Sequence, residues 1–178
     1  NPLLTTTYGT GELVLEAINM GCKRIIIGIG GSATNDCGAG MAQALGLRLL
    51  DKDGNDIGYG GGELSKVKRI IKSSLWDKIS KADVIVACDV NNPLCGENGA
   101  SYIYGPQKGA TPDMVEFLDQ GLSNFADVIK KDLGKSVKDI PGAGAAGGLG
   151  AGLISFLDGK LVSGIVVVLN AINFEENI

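Results

Sequence analysis

Runs of apolar residues in this chain change period from one segment to the next, and the changes predict alternating helices and strands. Thr10–Met20 repeats its apolar residues at helical spacing and is followed by Gly21, a residue typical of helix ends. The apolar run Arg24–Ile29 comes directly afterwards and predicts a strand. Asp83–Cys88 has the continuous apolar character of a second buried strand. This order of elements favours an α/β domain.

The longest helical repeat begins at Thr111 and ends before Gly134. Thr111 supplies a capping hydroxyl, proline follows at the first helical position, and Asp113 places an acid in the first turn. Shorter patterns predict further elements. These are a helical face at Met41, Ala42 and Leu45, strands at Leu47–Leu50 and Val67–Ile71, and a turn at Asp53-Gly54.

The sequence predicts the secondary structure of three further segments less clearly, because they are rich in glycine or in β-branched residues. Residues 58–62 are nearly all glycine and predict a mobile surface loop. Residues 142–152 hold six glycines, which fits a thin, closely packed helix or a linker. Ile165–Leu169 reads locally as a strand, although Ser163 could instead cap a helix there. No internal repeat or proline-rich linker divides the chain, so residues 1–178 are expected to form one α/β domain.

The candidate chemistry lies where the two apolar strands end. The first opens into a loop of glycines, small hydroxyl residues and Asp36, and such a loop can bring backbone N–H groups close to an anion. The second runs into Asp89-Val90-Asn91-Asn92, where a carboxylate could accept a proton or hold magnesium. In an open α/β sheet such loops meet at the carboxyl edge, which is where ligands bind. Lys108, fixed in a Gly-Pro-Gln-Lys-Gly turn, could meet a phosphate or be only a solvated lysine.

Composition narrows the function. With 44% hydrophobic and 20% charged residues the chain is an ordinary globular protein, and its net charge of −4 argues against nucleic acid as a partner. It has no histidine, which excludes imidazole bases and Ser-His-Asp or Cys-His nucleophiles. Neither a signal pattern nor an apolar run long enough for a bilayer is present, so a cytoplasmic location and no membrane partner are expected.

Two nucleotide-binding motifs need comparison with the glycine loop. The pattern Gly28-x-Gly30-x-x-Ala33 resembles a dinucleotide fingerprint, with Asp51 at a distance suited to a ribose. However, Asn35 and the glycines after it prolong the loop where that fingerprint needs a helix, and Asp51 also begins the D-K-D-G turn. A dinucleotide-dependent oxidoreductase stays a less favoured alternative. No Walker A loop is present, which excludes a P-loop kinase.

Taken together, the loops resemble the ATP-dependent glycerate kinases of bacterial type I. Seven blocks stand in the family's order and cover nearly the whole chain. They are T-T-T-Y-G-T-G-E-L at Thr5–Leu13, G-I-G-G-S-A-T-N-D at Gly28–Asp36, G-A-G-M-A-Q-A-L-G at Gly38–Gly46, C-D-V-N-N-P-L-C-G at Cys88–Gly96, G-A-S at Gly99–Ser101, G-P-Q-K-G-A-T at Gly105–Thr111 and P-G-A-G-A-A-G-G-L-G at Pro141–Gly150. Cys37 departs from the pattern, because many relatives have glycine at that position.

The resemblance implies transfer of the ATP γ-phosphoryl group to a hydroxyl of D-glycerate, with magnesium as cofactor and 2-phosphoglycerate as the favoured product. It also implies a two-domain enzyme, in which this chain is the inserted mixed-sheet α/β domain and supplies one wall of the cleft. Residues 171–178 would return toward a flavodoxin-like domain in the rest of the parent chain, and a homodimer is possible. A non-catalytic structural fragment is the alternative. Helical structure around Gly164–Asn170 would suit the family better than a strand.

The resemblance also suggests roles for the loop residues. The catalytic candidates are Asp89, as general base or magnesium ligand, and Lys108, which would meet developing phosphate charge. Asp36 would support the metal or the loop. The candidates for binding substrate or phosphate are Gly30, Gly31, Ser32, Thr34, Asn35 and Asn91.

Overall fold

The computed structural model describes residues 1–74, 79 and 81–172, and it confirms the mixed α/β architecture. The helices of the described residues are α1 (Tyr8–Asn19), α2 (Ala39–Ala44), α3 (Ala100–Tyr104), α4 (Pro112–Leu133), α5 (Ala145–Leu157) and α6 (Gly164–Ala171), with 3₁₀ turns at Gly61–Lys66 and Pro106–Lys108. The strands are β1 (Arg24–Gly28), β2 (Arg48–Leu50), β3 (Arg69–Ile71), β4 (Asp83–Ala87) and β5 (Lys160–Val162).

The main sheet is parallel and has the order β1-β4-β5. Ile25 pairs with Val84, and Ile85 pairs with Lys160 on the other side of the central strand. Val84 and Val86 are buried, because their face of the sheet packs on the helical core. All three strands end at the same edge, so the segments that follow them meet there, as the sequence predicts for β1 and β4 but not for β5.

A small antiparallel pair, β2 with β3, lies apart from the main sheet. Its connection begins with the predicted turn, in which Asp51 Oδ1 accepts hydrogen bonds from the backbone N–H groups of Asp53 and Asn55. These bonds lower the pKa of Asp51. Asp51 therefore has the turn-forming role that the D-K-D-G sequence predicts.

The amphipathic helix α4 forms one side of the core. Phe125 on α4 and Phe156 on α5 are both almost fully buried, with ring centroids 6.1 Å apart. The Thr111 hydroxyl accepts a hydrogen bond from Met114 N at 3.4 Å, and Gly134 ends the helix with φ of 74°. Both predicted helix ends are thus confirmed.

Replacing Thr111 by alanine is expected to lower the free energy of unfolding by about 1 kcal/mol, because the first turn loses its side-chain acceptor. Urea titration monitored by circular dichroism would measure the change. Thr111→Ser is the matched control, since it keeps the hydroxyl and should retain most of the stability. Equal losses in the two variants would contradict a capping role.

The glycine-rich segment 58–62, which its composition predicts to be a mobile surface loop, is exposed at Gly58 and Tyr59 but packed where it continues into the next turn. Gly60 and Gly61 are buried, and a 3₁₀ turn begins at Gly61. A side chain at Gly61 would overlap Leu118 of α4 and the backbone oxygen of Asn35. These glycines are therefore needed for close packing, a reason that composition alone does not distinguish from flexibility.

The two open segments both become helices. The glycine-rich stretch 142–152 enters α5, but Ala146, Gly147 and Gly148 have positive φ, so the helix begins with a left-handed kink. Ile165–Leu169 lies in α6, as the family resemblance favours over the local strand reading. The Ser163 side chain does not cap α6.

Candidate functional site

Three segments gather at the carboxyl edge of the parallel sheet. The segment after β1 carries the glycine loop, the segment after β4 carries Asp89 and Asn91, and Ser163 follows β5. Three clefts open along this edge, with volumes of about 160, 250 and 370 Å³. The first two share Gly30, Ser32 and Ala146 in their walls, and the first and third share Val90. The sequence-predicted loops therefore line three neighbouring clefts, which together we call the groove.

The glycine loop offers unoccupied backbone donors to this groove. Within the described residues, the N–H groups of residues 30–34 donate no hydrogen bond to another part of the chain. Gly30 and Gly31 are exposed, and Gly31 has φ of 60°, a backbone conformation that glycine adopts without strain. A run of exposed, unpaired N–H groups is the arrangement that binds phosphate or carboxylate oxygens.

Lys108 reaches the same loop from the turn after α3. Its Nζ donates to Ser32 Oγ at 3.0 Å and to the Thr34 carbonyl oxygen at 2.7 Å. Burial lowers the pKa of Lys108 to about 8, against a weaker opposing attraction from the Asp36 carboxylate. The ammonium is held by two neutral oxygens, so an anion in the 160 Å³ cleft would be its first charged contact.

Asp89 lies on the exposed side of the groove and binds the start of α6. Its Oδ1 accepts hydrogen bonds from Ser163 Oγ at 2.9 Å and from Gly164 N at 2.8 Å. Oδ2 accepts none from the described residues. Asp89 therefore caps α6 with one oxygen and leaves the other for a ligand. Asn91 is also exposed and lines the same 370 Å³ cleft.

Asn92 and Tyr104 connect the Asp89 loop to the Lys108 side of the groove. The Tyr104 hydroxyl donates to Asn92 Oδ1 at 2.6 Å, and Asn92 Nδ2 donates to the Asn98 carbonyl at 2.9 Å. The ring of Tyr104 lines the cleft that contains Lys108. The sequence alone does not distinguish Tyr104 as a site residue, since a lone tyrosine four residues before the lysine belongs to no motif.

Two predicted site residues lie beneath the groove instead of in its wall. Asn35 is fully buried and donates from Nδ2 to Ser101 Oγ at 3.0 Å, while its Oδ1 has no partner among the described residues. Asp36 is fully buried as well. It accepts hydrogen bonds from Thr7 N and Thr7 Oγ1, at 2.8 and 2.9 Å, and from the backbone N–H groups of Gly38 and Gly40.

The environment of Asp36 favours its loop-supporting role over direct metal binding. Burial raises the pKa of its carboxyl, and the hydrogen bonds from Thr7, Gly40 and Gly38 oppose that rise. Both oxygens are already occupied by protein donors. Within the ranges that the structure describes, no group of three or more His, Cys, Asp or Glu side chains could enclose a metal ion.

The left-handed start of α5 supports the glycine loop from below. A side chain at Gly147 would overlap the Thr34 carbonyl, and the Gly147 carbonyl accepts a hydrogen bond from Cys37 N at 3.1 Å. Cys37 itself has φ of 53°, in the left-handed region that favours glycine. Burial raises the pKa of the Cys37 thiol well above its usual range, so this side chain is a packing group.

Comparison with known proteins gives consistent results. The profile of the Glycerate kinase family matches residues 1–178. A glycerate kinase from Halalkalibacterium halodurans is 58% identical over 99% of this chain and 46% of its own length. The glycerate 2-kinase of Escherichia coli is 57% identical over the full chain and 47% of its own length. A crystal structure from Salmonella typhimurium that carries the glycerate kinase 2 name superposes with a TM-score of 0.96 at 52% identity, over 99% of this chain and 47% of that one. The chain thus spans about half the length of the relatives it matches.

Within the described residues, no helix is long and apolar enough to cross a membrane. The described helix that follows the glycine loop begins only at Ala39, so the helix N-terminus that a dinucleotide fingerprint requires is not at Gly30.

Proposed function

Because the chain belongs to the glycerate kinase family, we propose that the protein containing it transfers the γ-phosphoryl group of ATP to D-glycerate, with 2-phosphoglycerate as the favoured product. The observation that supports this most directly is the pairing of unoccupied loop N–H groups with Lys108. In this proposal the present residues form one wall of the cleft, and the rest of the polypeptide supplies the other. The name of the Escherichia coli relative favours transfer to carbon 2.

The proposed roles follow from position in the groove. The N–H groups of the loop at Gly30 and Gly31 bind oxygens of phosphate or of the glycerate carboxylate. Lys108 leaves its neutral acceptors and neutralises charge that develops on the transferred phosphoryl group. When the anion departs, the ammonium again donates hydrogen bonds to Ser32 Oγ and the Thr34 carbonyl oxygen. Such positioning and charge neutralisation carry most of the catalysis in phosphoryl transfer.

Asp89 is the proposed acceptor of the glycerate hydroxyl proton. Its Oδ2 accepts no hydrogen bond from the described residues, and Asp89 lines the 370 Å³ cleft together with Asn91, which would orient the substrate. As the hydroxyl oxygen attacks phosphorus, its proton passes to Oδ2 while the bond from phosphorus to the ADP oxygen breaks. The hydrogen bonds from Ser163 and Gly164 hold Oδ1 fixed, so the carboxylate keeps one orientation throughout.

Magnesium fits this groove with one protein carboxylate. It prefers oxygen ligands, and it commonly uses one or two carboxylates together with substrate phosphates and waters. As an alternative to accepting the proton, the free oxygen of Asp89, with Asn91 nearby, would hold the cation in that way. When bound, the cation would supply positive charge to the nucleotide phosphates. Asp36, with its donors already in place, is proposed to hold the loop.

The test is phosphorus NMR of D-glycerate and magnesium-ATP, with the full-length protein and with this chain in parallel. We expect phosphoglycerate from the full-length protein, with a coupling pattern that identifies carbon 2, and none from this chain alone. Absence of product from both would overturn the proposal. Absence from this chain alone is the outcome expected of a dependent domain.

The lowered pKa of Lys108 predicts an alkaline limit to activity. The ammonium is charged below its pKa of about 8 and neutral above it. The value of kcat/KM for the full-length enzyme should therefore fall about tenfold per pH unit above that point, because this parameter reports ionisation of the free enzyme. Lys108→Arg is the matched variant, since its guanidinium stays charged, and it should move the limit beyond pH ~10. An unchanged limit in the arginine variant would assign that ionisation to another group.

A further inference from the structure

The parallel sheet has a second face that the described helices leave open. Side chains alternate across a strand, and on the inner face Ile25, Ile27 and Leu161 pack against the core with the buried β4 valines. The opposite face carries apolar side chains that are not part of this core, namely Ile26, Ile85, Ala87 and Val162. On this face Ile26 is 51% exposed, and Ile85, Ala87 and Val162 are half-buried.

Helix α6 is also apolar, and no face of it is fully buried. None of its residues is buried, although its sequence is almost entirely aliphatic. Ile165 is 62% exposed and Val168 is 54% exposed. The helix begins next to Asp89, at the carboxyl end of the same sheet. The open face and α6 together form what we call the outer surface.

The outer surface is apolar with a charged rim, which is typical of an interface and not of a face exposed to solvent. All-parallel sheets are generally covered by helices on both faces, because their strands are apolar throughout. Asp83, on the outer face of the central strand, pairs with Arg24 at 3.0 Å and with Lys160 at 2.8 Å. This polar rim lies at the amino end of the sheet, while the apolar residues extend from it to the substrate groove.

We propose that the outer surface is the docking site for the half of the polypeptide that the longer relatives possess and this chain does not span, and that this half covers the sheet with helix. The curated relatives are about twice as long as this chain, so a segment of similar size remains to be placed. The outer face ends at the cleft that contains Asp89, and a segment lying on it would reach the open side of the groove. The proposal rests on family membership and not on the proposed reaction.

Thiol accessibility in the full-length protein tests this placement. Cysteines introduced as Ile26→Cys and Val168→Cys would be labelled with a maleimide, and labelled peptides would be located by mass spectrometry. Phe117→Cys, on α4 and 43% exposed in this chain, is the control of matched exposure. Relative to the urea-unfolded protein, we expect the two outer-surface thiols to react about 100-fold more slowly and the Phe117→Cys thiol to react within about tenfold.

Two results would overturn the proposal. Labelling of the outer-surface thiols at the rate of the Phe117→Cys thiol would show that the surface stays open. Protection that disappears on dilution, as the protein changes from dimer to monomer, would assign the surface to a second copy. Should the cysteine variants not fold, slow amide exchange of residues 164–171 in unmodified full-length protein would support the docking, and fast exchange would contradict it. Neither thiol labelling nor amide exchange depends on catalytic turnover. Failure of the docking proposal can therefore be distinguished from failure of the proposed function, which the phosphorus NMR tests.

Discussion

Replacing Gly147 by alanine is expected to destabilise the protein by about 3–5 kcal/mol, the largest effect we expect from a single added methyl group. Two causes act together. The residue has φ of 68°, where a Cβ is strained, and that Cβ would overlap the carbonyl of Thr34. Urea denaturation of the full-length protein and of this chain would measure the loss. Because Thr34 belongs to the glycine loop, its displacement should also weaken binding of phosphate anions.

The neighbouring residue gives the control. Ala146 has φ of 52°, so Ala146→Gly removes backbone strain at the cost of greater freedom in the unfolded chain. These effects oppose one another, and the net change in the free energy of unfolding should stay within about 1 kcal/mol of zero. If Gly147→Ala lowered the free energy of unfolding by less than ~1 kcal/mol, the close contact between Gly147 and the Thr34 carbonyl would be contradicted.

Replacing Asp89 by asparagine is expected to lower kcat of the full-length enzyme by about 10²–10⁴-fold, the range found for removal of a general base. The substitution separates the two functions of this residue. Asparagine is as good a helix cap as aspartate, and its side-chain oxygen can accept the same bonds from Ser163 and Gly164. The free energy of unfolding should therefore change by less than about 0.5 kcal/mol, while the proton acceptor is lost.

Ser163→Ala is the companion variant, because it removes a hydrogen bond to Asp89 and leaves the carboxylate in place. Its turnover should fall by about tenfold, as expected for the loss of one hydrogen bond to a carboxylate, worth ~1.5 kcal/mol at the low end of the range for charged acceptors. Near-normal turnover in Asp89→Asn would remove Asp89 from the proposed catalytic set. Equal, severe losses in both variants, with intact folding, would indicate that the orientation of α6 matters more than the charge.

The sequence predicts the elements with strong periodicity and the edge at which their loops meet. Helix α4 has its predicted cap and glycine end because those signals are local. Lys108 and the glycine loop are more than seventy residues apart in the sequence, and the family resemblance, not a local pattern, indicates that both belong to one site.

Other features depend on contacts that no local pattern encodes. The burial of Gly61 under Leu118, and of Asp36 behind Thr7, follows from tertiary packing. Glycine occurs both in mobile loops and where two backbones pack closely. Composition therefore predicts a mobile loop at residues 58–62, where the structure has a packed turn from Gly60 onward. The Tyr104–Asn92 hydrogen bond likewise joins segments whose proximity only the fold reveals.

The resting environment of Lys108 also makes its amine a nucleophile. With a pKa of about 8, roughly a tenth of the side chain is uncharged at pH 7, far more than for a lysine with the ordinary value. Since acylation requires the neutral amine, an activated acyl group that enters the cleft would react at this nitrogen. The product amide could no longer carry positive charge. The burial that lowers the pKa of Lys108 in the proposed phosphate site therefore also makes this lysine susceptible to inactivation by acylation.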